Sequence, residues 1–292
     1  MKNLLLKIKR KLFFYDELTL SLVFKDDYVN DIPFIYRLAE IMLARQIKYI
    51  RRDPETKRLI LKTKEGIYLA TDNFFLAFDD VFGQRIYGID DKYFAQPFIV
   101  FDFGMNRAYT SLFFLQYEKC IKVFGFEPDP KTFEFAKYNI NLNTHLKSKI
   151  ETFNHGLGND NCFCNFYKFK GTDISSCLYL DKTTKKMDKK YITQSQVEIK
   201  NVSEVVNSIL KRNEDKIKDT KIILKIDVEG AEYEIFENLC NSGVINKFDL
   251  ILGECHDGFN QSLEKIKDTH NLVHLTETPI RRSFIFEKEK NW

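Results

Sequence analysis

Four apolar segments of this 292-residue chain each run into a carboxylate: FIVFDF carries Asp102, VFGFE ends in Glu127, KIILKIDV carries Asp227 and FDLILGE ends in Glu254. A carboxylate buried without partners is costly, so such a set calls for a cationic or hydroxyl-rich ligand, a metal, or backbone donors. Taken singly, each acid would also serve as a helix cap. Glu127 follows Asp102 by about 25 residues, close to the interval at which a nucleoside-binding α/β fold sets an acid on ribose hydroxyls. Such an acid accepts a diol and rejects a 2′-phosphate. Gly104 follows Asp102, but the GxGxxG that lets a pyrophosphate approach a helix N-terminus is missing, so a nucleoside without phosphates fits better than a dinucleotide. Glu254-Cys-His256 sets an acid and an imidazole two residues apart, on one side of the chain if the strand stays extended.

From residue 98 the pattern alternates strands with helical stretches, which predicts a parallel sheet with crossover helices. FIVFDF (98–103), VFGFE (123–127), KIETFN (149–154), KIILKIDV (221–228) and FDLILGE (248–254) read as strands. RAYTSLFFLQY (107–117), PKTFEFAKYNINLN (130–143), VSEVVNSILKRNEDK (202–216) and EYEIFENLC (232–240) read as helices, the second opened by a proline. CFCNFYKF (162–169) alternates like an edge strand, and two alternating runs near the C-terminus suit an antiparallel hairpin. Upstream, the first 50 residues read as helical, with Asp31 and Pro33 as a helix start, and RLILKTKEGIYLA reads as a hairpin across 58–70. This gives a helical extension over 1–57, a hairpin with a connecting segment over 58–97, and a sheet domain over 98–292. In open α/β sheets, ligands lie beyond the carboxyl ends of the strands, where the acids would gather.

Composition narrows the partners. With 44% hydrophobic, 14% aromatic and 30% charged residues, the chain is a folded protein. A net charge of +3 from 45 basic and 42 acidic side chains is too balanced for a nucleic-acid footprint. The six cysteines, Cys120, Cys162, Cys164, Cys177, Cys240 and Cys255, lack the spacing of a zinc knuckle. The opening MKNLLLKIKRKLFF lacks the uninterrupted apolar core of a secretory signal, so reduced thiols and a cytoplasmic location are expected. No run reaches the roughly 18 apolar residues of a spanning helix. The basic N-terminus would suit peripheral contact with an anionic membrane, although a solvated face is the ordinary reading.

The segments FDFGMNRAYTSLFF, VFGFEPDPKTFEFAKYNINLN and LKIDVEGAEYEIFENL together resemble the FkbM family of S-adenosylmethionine-dependent methyltransferases, with its D-x-G-A-N-x-G, E-P-D and K-I-D-x-E-G-x-E motifs. The third motif is the most specific, and Lys225, Asp227, Glu229, Gly230 and Glu232 stand in register with it. The resemblance implies a Rossmann-like seven-stranded class I methyltransferase sheet of order 3-2-1-4-5-7-6. It implies that Asp102, Gly104 and Asn106 surround the methionine end of S-adenosylmethionine, that Glu127 takes the ribose, and that Asp129 and Asn154-His155-Gly156 flank the adenine. Met105 and Ala108 depart from the motif, standing where a small residue and a second glycine are usual. Met105 would either crowd the loop or pack beneath it.

Methyl transfer to a sugar hydroxyl needs near-attack geometry and a means of removing a proton. Two arrangements follow. His256 acts as a base poised near neutral pH and oriented by Asp227 or Glu254, or Asp227, Glu254 and His256 ligate Mg²⁺ or a related ion that lowers the hydroxyl pKa. A hydrogen-bonded loop histidine is the alternative to both. Glu232 is expected to be mainly structural, in the first turn of a helix; Lys225 is expected to pair with Glu229 or Glu232. The lysine-rich segment 171–194 would favour an acidic or nucleotide-linked sugar if it closes over the site, and is otherwise a solvated loop. The reading is therefore an O-methyltransferase acting on a sugar or glycan precursor for a bacterial capsule or surface polysaccharide, working as a monomer or a homodimer. N- or carboxyl-methylation of another small molecule is the alternative. An NAD-dependent oxidoreductase is disfavoured by the missing glycines, and a silent cofactor-binding module would never release S-adenosylhomocysteine.

Overall fold

The structure, a computed structural model, describes residues 32–72, 76–87, 91–169, 192–256, 264–277 and 282–289. The expected helix in MKNLLLKIKRKLFF and nearly all of the lysine-rich segment lie outside the described residues. The chain divides into two compact units, residues 1–85 and 86–292.

In the first unit, helix α1 (Ile32–Arg45) precedes a three-stranded antiparallel sheet of β1 (Lys48–Arg52), β2 (Leu59–Lys62) and β3 (Tyr68–Thr71), in the order β1-β2-β3. The predicted hairpin is β2–β3, pairing Leu59 with Thr71 and Lys62 with Tyr68 around a turn in which Gly66 has φ +93°. The predicted continuation of the helix to residue 50 is corrected. Gln46 turns left-handed at φ +55°, Ile47 N–H bonds back to the Met42 carbonyl, and the chain continues as β1, which pairs with β2 across a bulge at Ile50. Asp79 accepts both Nε and Nη2 of Arg37, a bidentate pair within this unit.

The second unit is built on seven strands: β4 (Phe98–Phe103), β5 (Cys120–Phe126), β6 (Ile150–Phe153), β10 (Lys221–Ile226), β11 (Leu250–Cys255), β12 (His270–Glu277) and β13 (Arg282–Lys288). Their order is β6-β5-β4-β10-β11-β13-β12, with only the β11–β13 and β13–β12 pairs antiparallel. Counted within this sheet, that is 3-2-1-4-5-7-6, the expected class I arrangement. The remaining strands, β7 (Gly156–Gly158), β8 (Cys162–Phe169) and β9 (Ile192–Asn201), form a separate sheet in which β9 is central and β8 an edge.

Every position of β4 and β11 is buried, as continuous apolar runs in parallel sheets require. Successive side chains take opposite faces. On one face Ile99, Phe101 and Phe103 join a core with Val202, Val206 and Ile209 of α4 (Val202–Arg212) and Ile235, Phe236 and Leu239 of α5 (Glu232–Asn241). On the other, Phe98 meets Phe94 and Tyr117, while Asp102 meets α2 (Tyr109–Leu115). Both faces of β4 are therefore covered, and Asp102 stands near its carboxyl end.

Candidate functional site

Asp102 is fully buried near the end of β4. Ser111 Oγ donates to its Oδ2 at 2.6 Å, and Lys225 Nζ stands 3.1 Å from its Oδ1. The pairing follows from register: Lys225 is the β10 neighbour of Asp102, so both project to one face. Lys225 Nζ also donates to the Gly104 carbonyl at 2.7 Å and the Phe103 carbonyl at 3.3 Å. The lysine thus pairs with Asp102, not with Glu229 or Glu232 as the sequence suggested. The strand face excludes those two acids, which belong to the loop and helix beyond.

After β4 the chain takes three left-handed residues in five: Gly104 at φ +77°, Asn106 at φ +51° and Ala108 at φ +63°. A Cβ on Gly104 would stand 1.8 Å from the Asp227 carbonyl oxygen. Glycine here thus lets two strand ends approach, a reason independent of any ligand. Met105 packs beneath the loop. It is buried, and its Sδ lies 2.4 Å from where a Cβ on Gly125 of β5 would sit. Asn139 of α3 (Pro130–Asn141) is buried and donates to the Arg107 carbonyl at 2.9 Å, holding the loop from the other side.

Glu127 receives that loop. Its Oε2 accepts from Asn106 N–H at 3.0 Å and its Oε1 from Asp129 N–H at 2.9 Å. Burial nevertheless pushes its carboxyl up to about 7, above the ordinary carboxylate range, with the nearby Asp129 charge adding to the rise. Asp129 caps α3, accepting from Thr132 N–H and Oγ1, each at 2.8 Å, and from Lys168 Nζ of β8 at 2.7 Å. Burial alone would raise Asp129, but these donors outweigh it and hold it below its usual value. Asn154 Nδ2 donates to the Glu127 and Pro128 carbonyls, so the end of β6 is tied to the end of β5. His155 is buried against Phe126 and Phe153.

At the end of β10 the Asp227 Oδ2 accepts from the buried Tyr87 hydroxyl at 2.8 Å. Burial, then the Asp227 charge, hold that phenol well above its ordinary range, so Tyr87 remains a donor. The next loop carries Glu229 at φ +55° and Gly230 at φ +106°. Glu232, at the start of α5, is 1% exposed and folds back on this loop: Oε2 accepts from Gly230 N–H at 2.9 Å and Oε1 from Val228 N–H at 3.3 Å. His256, just past β11, points Nδ1 at Glu232 Oε1 across 3.0 Å and Nε2 at Glu229 Oε2 across 3.4 Å.

Two expectations change here. Burial would lower the His256 pKa, but the Glu232 hydrogen bond and the Glu229 charge push it up to about 10. The two carboxylates thus favour the protonated imidazole over one poised near neutrality. Ligand atoms of Asp227, Glu229 and His256 lie within 4.8 Å of one another, and Glu254 is not among them. Its Oε1 instead accepts from Ser283 Oγ of β13 at 2.9 Å, because Glu254 lies within β11 and pairs across to Ser283.

The carboxyl edge thus holds two groups of candidates, one around Glu127 and the other around Asp227. Tyr87, Lys168 and Ser111 are polar partners that sequence reasoning missed. Ser111 stands on α2, nine residues beyond a strand acid, and Tyr87 and Lys168 come from other segments, so no local spacing signals any of the three.

The Methyltransferase FkbM domain profile matches residues 102–276, a span that includes every candidate above except Tyr87 and Ser283. Methyltransferase 1 of Beauveria bassiana (strain ARSEF 2860) is 26% identical over 170 residues, covering 52% of this chain and 64% of that protein. The chain thus spans less than two thirds of that relative's length. Among solved structures, TrmK of M. capricolum in complex with the cofactor product S-adenosyl-homocysteine aligns with 15% identity and a TM-score of 0.40, over 71% of this chain and 67% of that one. Methyltransferase FkbM from Methylobacillus flagellatus KT aligns with 15% identity and a TM-score of 0.40, over 92% of this chain and 57% of that one.

Proposed function

Because this chain belongs to the FkbM methyltransferase domain family, we propose that it transfers the methyl group of S-adenosylmethionine to a hydroxyl of a sugar or glycan precursor, in the cytoplasm, toward a bacterial surface polysaccharide. In that reaction the methyl C–S bond breaks, an O–C bond forms, the hydroxyl proton is lost and S-adenosylhomocysteine is released.

The observation that carries the cofactor assignment is Glu127. Each of its oxygens accepts one backbone N–H, which leaves a second lone-pair direction on each for a ribose diol. A buried acid raised to about 7 gains from two such donors. The left-handed loop 104–108 would lie along the methionine end, and Asn154, exposed beside Glu127, would border the adenine. Asp102 would act at one remove, through Lys225 and the Gly104 carbonyl that the lysine holds.

A neutral acceptor suits the described side chains. Three carboxylates, those of Asp227, Glu229 and Glu254, stand at this edge, which favours a polyol over an anionic sugar. His256, held between two carboxylates, would stand beside the acceptor and would not take its proton.

The test is a set of neutral and acidic nucleotide sugars and capsular oligosaccharides incubated with enzyme and S-adenosylmethionine, with mass spectrometry of both products. Equimolar S-adenosylhomocysteine and a methyl ether are expected. An N-methyl product or a methyl ester would overturn the hydroxyl assignment, and absence of any S-adenosylhomocysteine binding in a thermal-shift assay would overturn the cofactor.

A further inference from the structure

We infer that Asp227, Glu229 and His256 form a binding site for one divalent cation, of the kind that accepts mixed carboxylate and imidazole ligation, with Mn²⁺ as the type ion. Three donors from two separate chain segments, the loop after β10 and the end of β11, bring ligand atoms within 4.8 Å of one another. Two carboxylates and one imidazole make an oxygen-dominated set with a single borderline nitrogen, which suits Mn²⁺ or Zn²⁺ better than Ca²⁺.

What separates this cluster from an ordinary surface group of acids is the anchoring behind it. His256 turns Nδ1 to Glu232, a 1%-exposed carboxylate already fixed by two backbone N–H donors, and Nε2 toward Glu229. A ligating histidine whose other nitrogen faces a carboxylate is the arrangement that fixes the tautomer and aims the free nitrogen at an ion. Asp227 has its own anchor, the Tyr87 hydroxyl on Oδ2, and Tyr87 lies 140 residues away in sequence. Neither Glu232 nor Tyr87 belongs to the three-residue set; both orient it from outside. The His256 and Glu229 side chains keep 23% and 30% of their exposure, so an ion has a way in.

Within the methyl-transfer reading, and resting on it, such an ion would hold the acceptor hydroxyl and lower its pKa so that the proton leaves to solvent. Ion binding itself does not depend on that reading. The experiment titrates the full-length protein with MnCl₂ and follows loss of the free Mn²⁺ electron paramagnetic resonance signal, alongside S-adenosylhomocysteine binding by calorimetry on the same samples. One Mn²⁺ per chain is expected. Asp227→Asn and Glu229→Gln should each weaken it more than about 100-fold, and Tyr87→Phe within the roughly 10–100-fold range of outer partners. Retained S-adenosylhomocysteine binding shows that each variant is folded. Wild-type protein that binds S-adenosylhomocysteine but takes up neither Mn²⁺ nor Zn²⁺ at millimolar concentration would overturn the proposal and leave the cluster as ion pairs. So would Mn²⁺ uptake unchanged in both ligand variants. Loss of S-adenosylhomocysteine binding with Mn²⁺ binding intact would instead count against the methyltransferase reading alone.

Discussion

Glu127 releases its proton near 7 in the folded chain and near 4.5 when unfolded. The folded state therefore holds more protons across that window, and this residue's contribution to stability falls as pH rises through it. Ligand binding should run the other way, because a ribose diol donates to the ionised carboxylate. S-adenosylhomocysteine affinity should rise by about tenfold between pH 6 and pH 8 as the competent form fills. Isothermal titration at both pH values checks this, and a flat profile would remove Glu127 from the ribose. A second prediction concerns Ala108, which holds φ +63° at the N-terminal edge of α2. Ala108→Gly should raise stability by about 0.5–1 kcal/mol by relieving the left-handed strain, read from urea denaturation. The acids at this scale were legible because each ends an apolar run. Tyr87 and Lys168 were not, because the first comes from an aromatic stretch without periodicity and the second from an edge strand whose partner lies 39 residues away.

Between elements, the contact that decides the loop after β4 is Met105 on Gly125. The methionine side chain fills the space that a residue on β5 would otherwise take. Gly125→Ala should therefore cost about 1–3 kcal/mol through overpacking. Part of that loss should return in the Met105→Ala, Gly125→Ala double variant, a coupling measurable as a double-mutant cycle on denaturation midpoints. No coupling would mean that Met105 does not pack there. Sequence periodicity located the strands that are apolar throughout, and the resemblance supplied their order. It missed β1 and β9, whose Lys-Tyr-Ile-Arg-Arg and Ile-Thr-Gln-Ser-Gln stretches are too polar to signal a strand until a partner is known.

For the whole molecule, the family match over 102–276 falls entirely inside the unit that begins at Ile86, and that unit has its own core on both faces of the sheet. A fragment spanning 86–292 should fold cooperatively and bind S-adenosylhomocysteine within about threefold of the full chain, since domains with their own cores fold alone. Calorimetry showing no transition for the fragment would sink this. The buried pair of Asp102 and Lys225 sets a limit of a different kind, on the routes by which this sheet can change over generations. Losing either partner alone strands the other charge in the interior, at roughly 3–5 kcal/mol, a large share of a typical domain's stability. The two positions, 123 residues apart in the chain and adjacent in the sheet (225 − 102 = 123), are in effect one inherited unit, open to replacement together and closed to replacement one at a time.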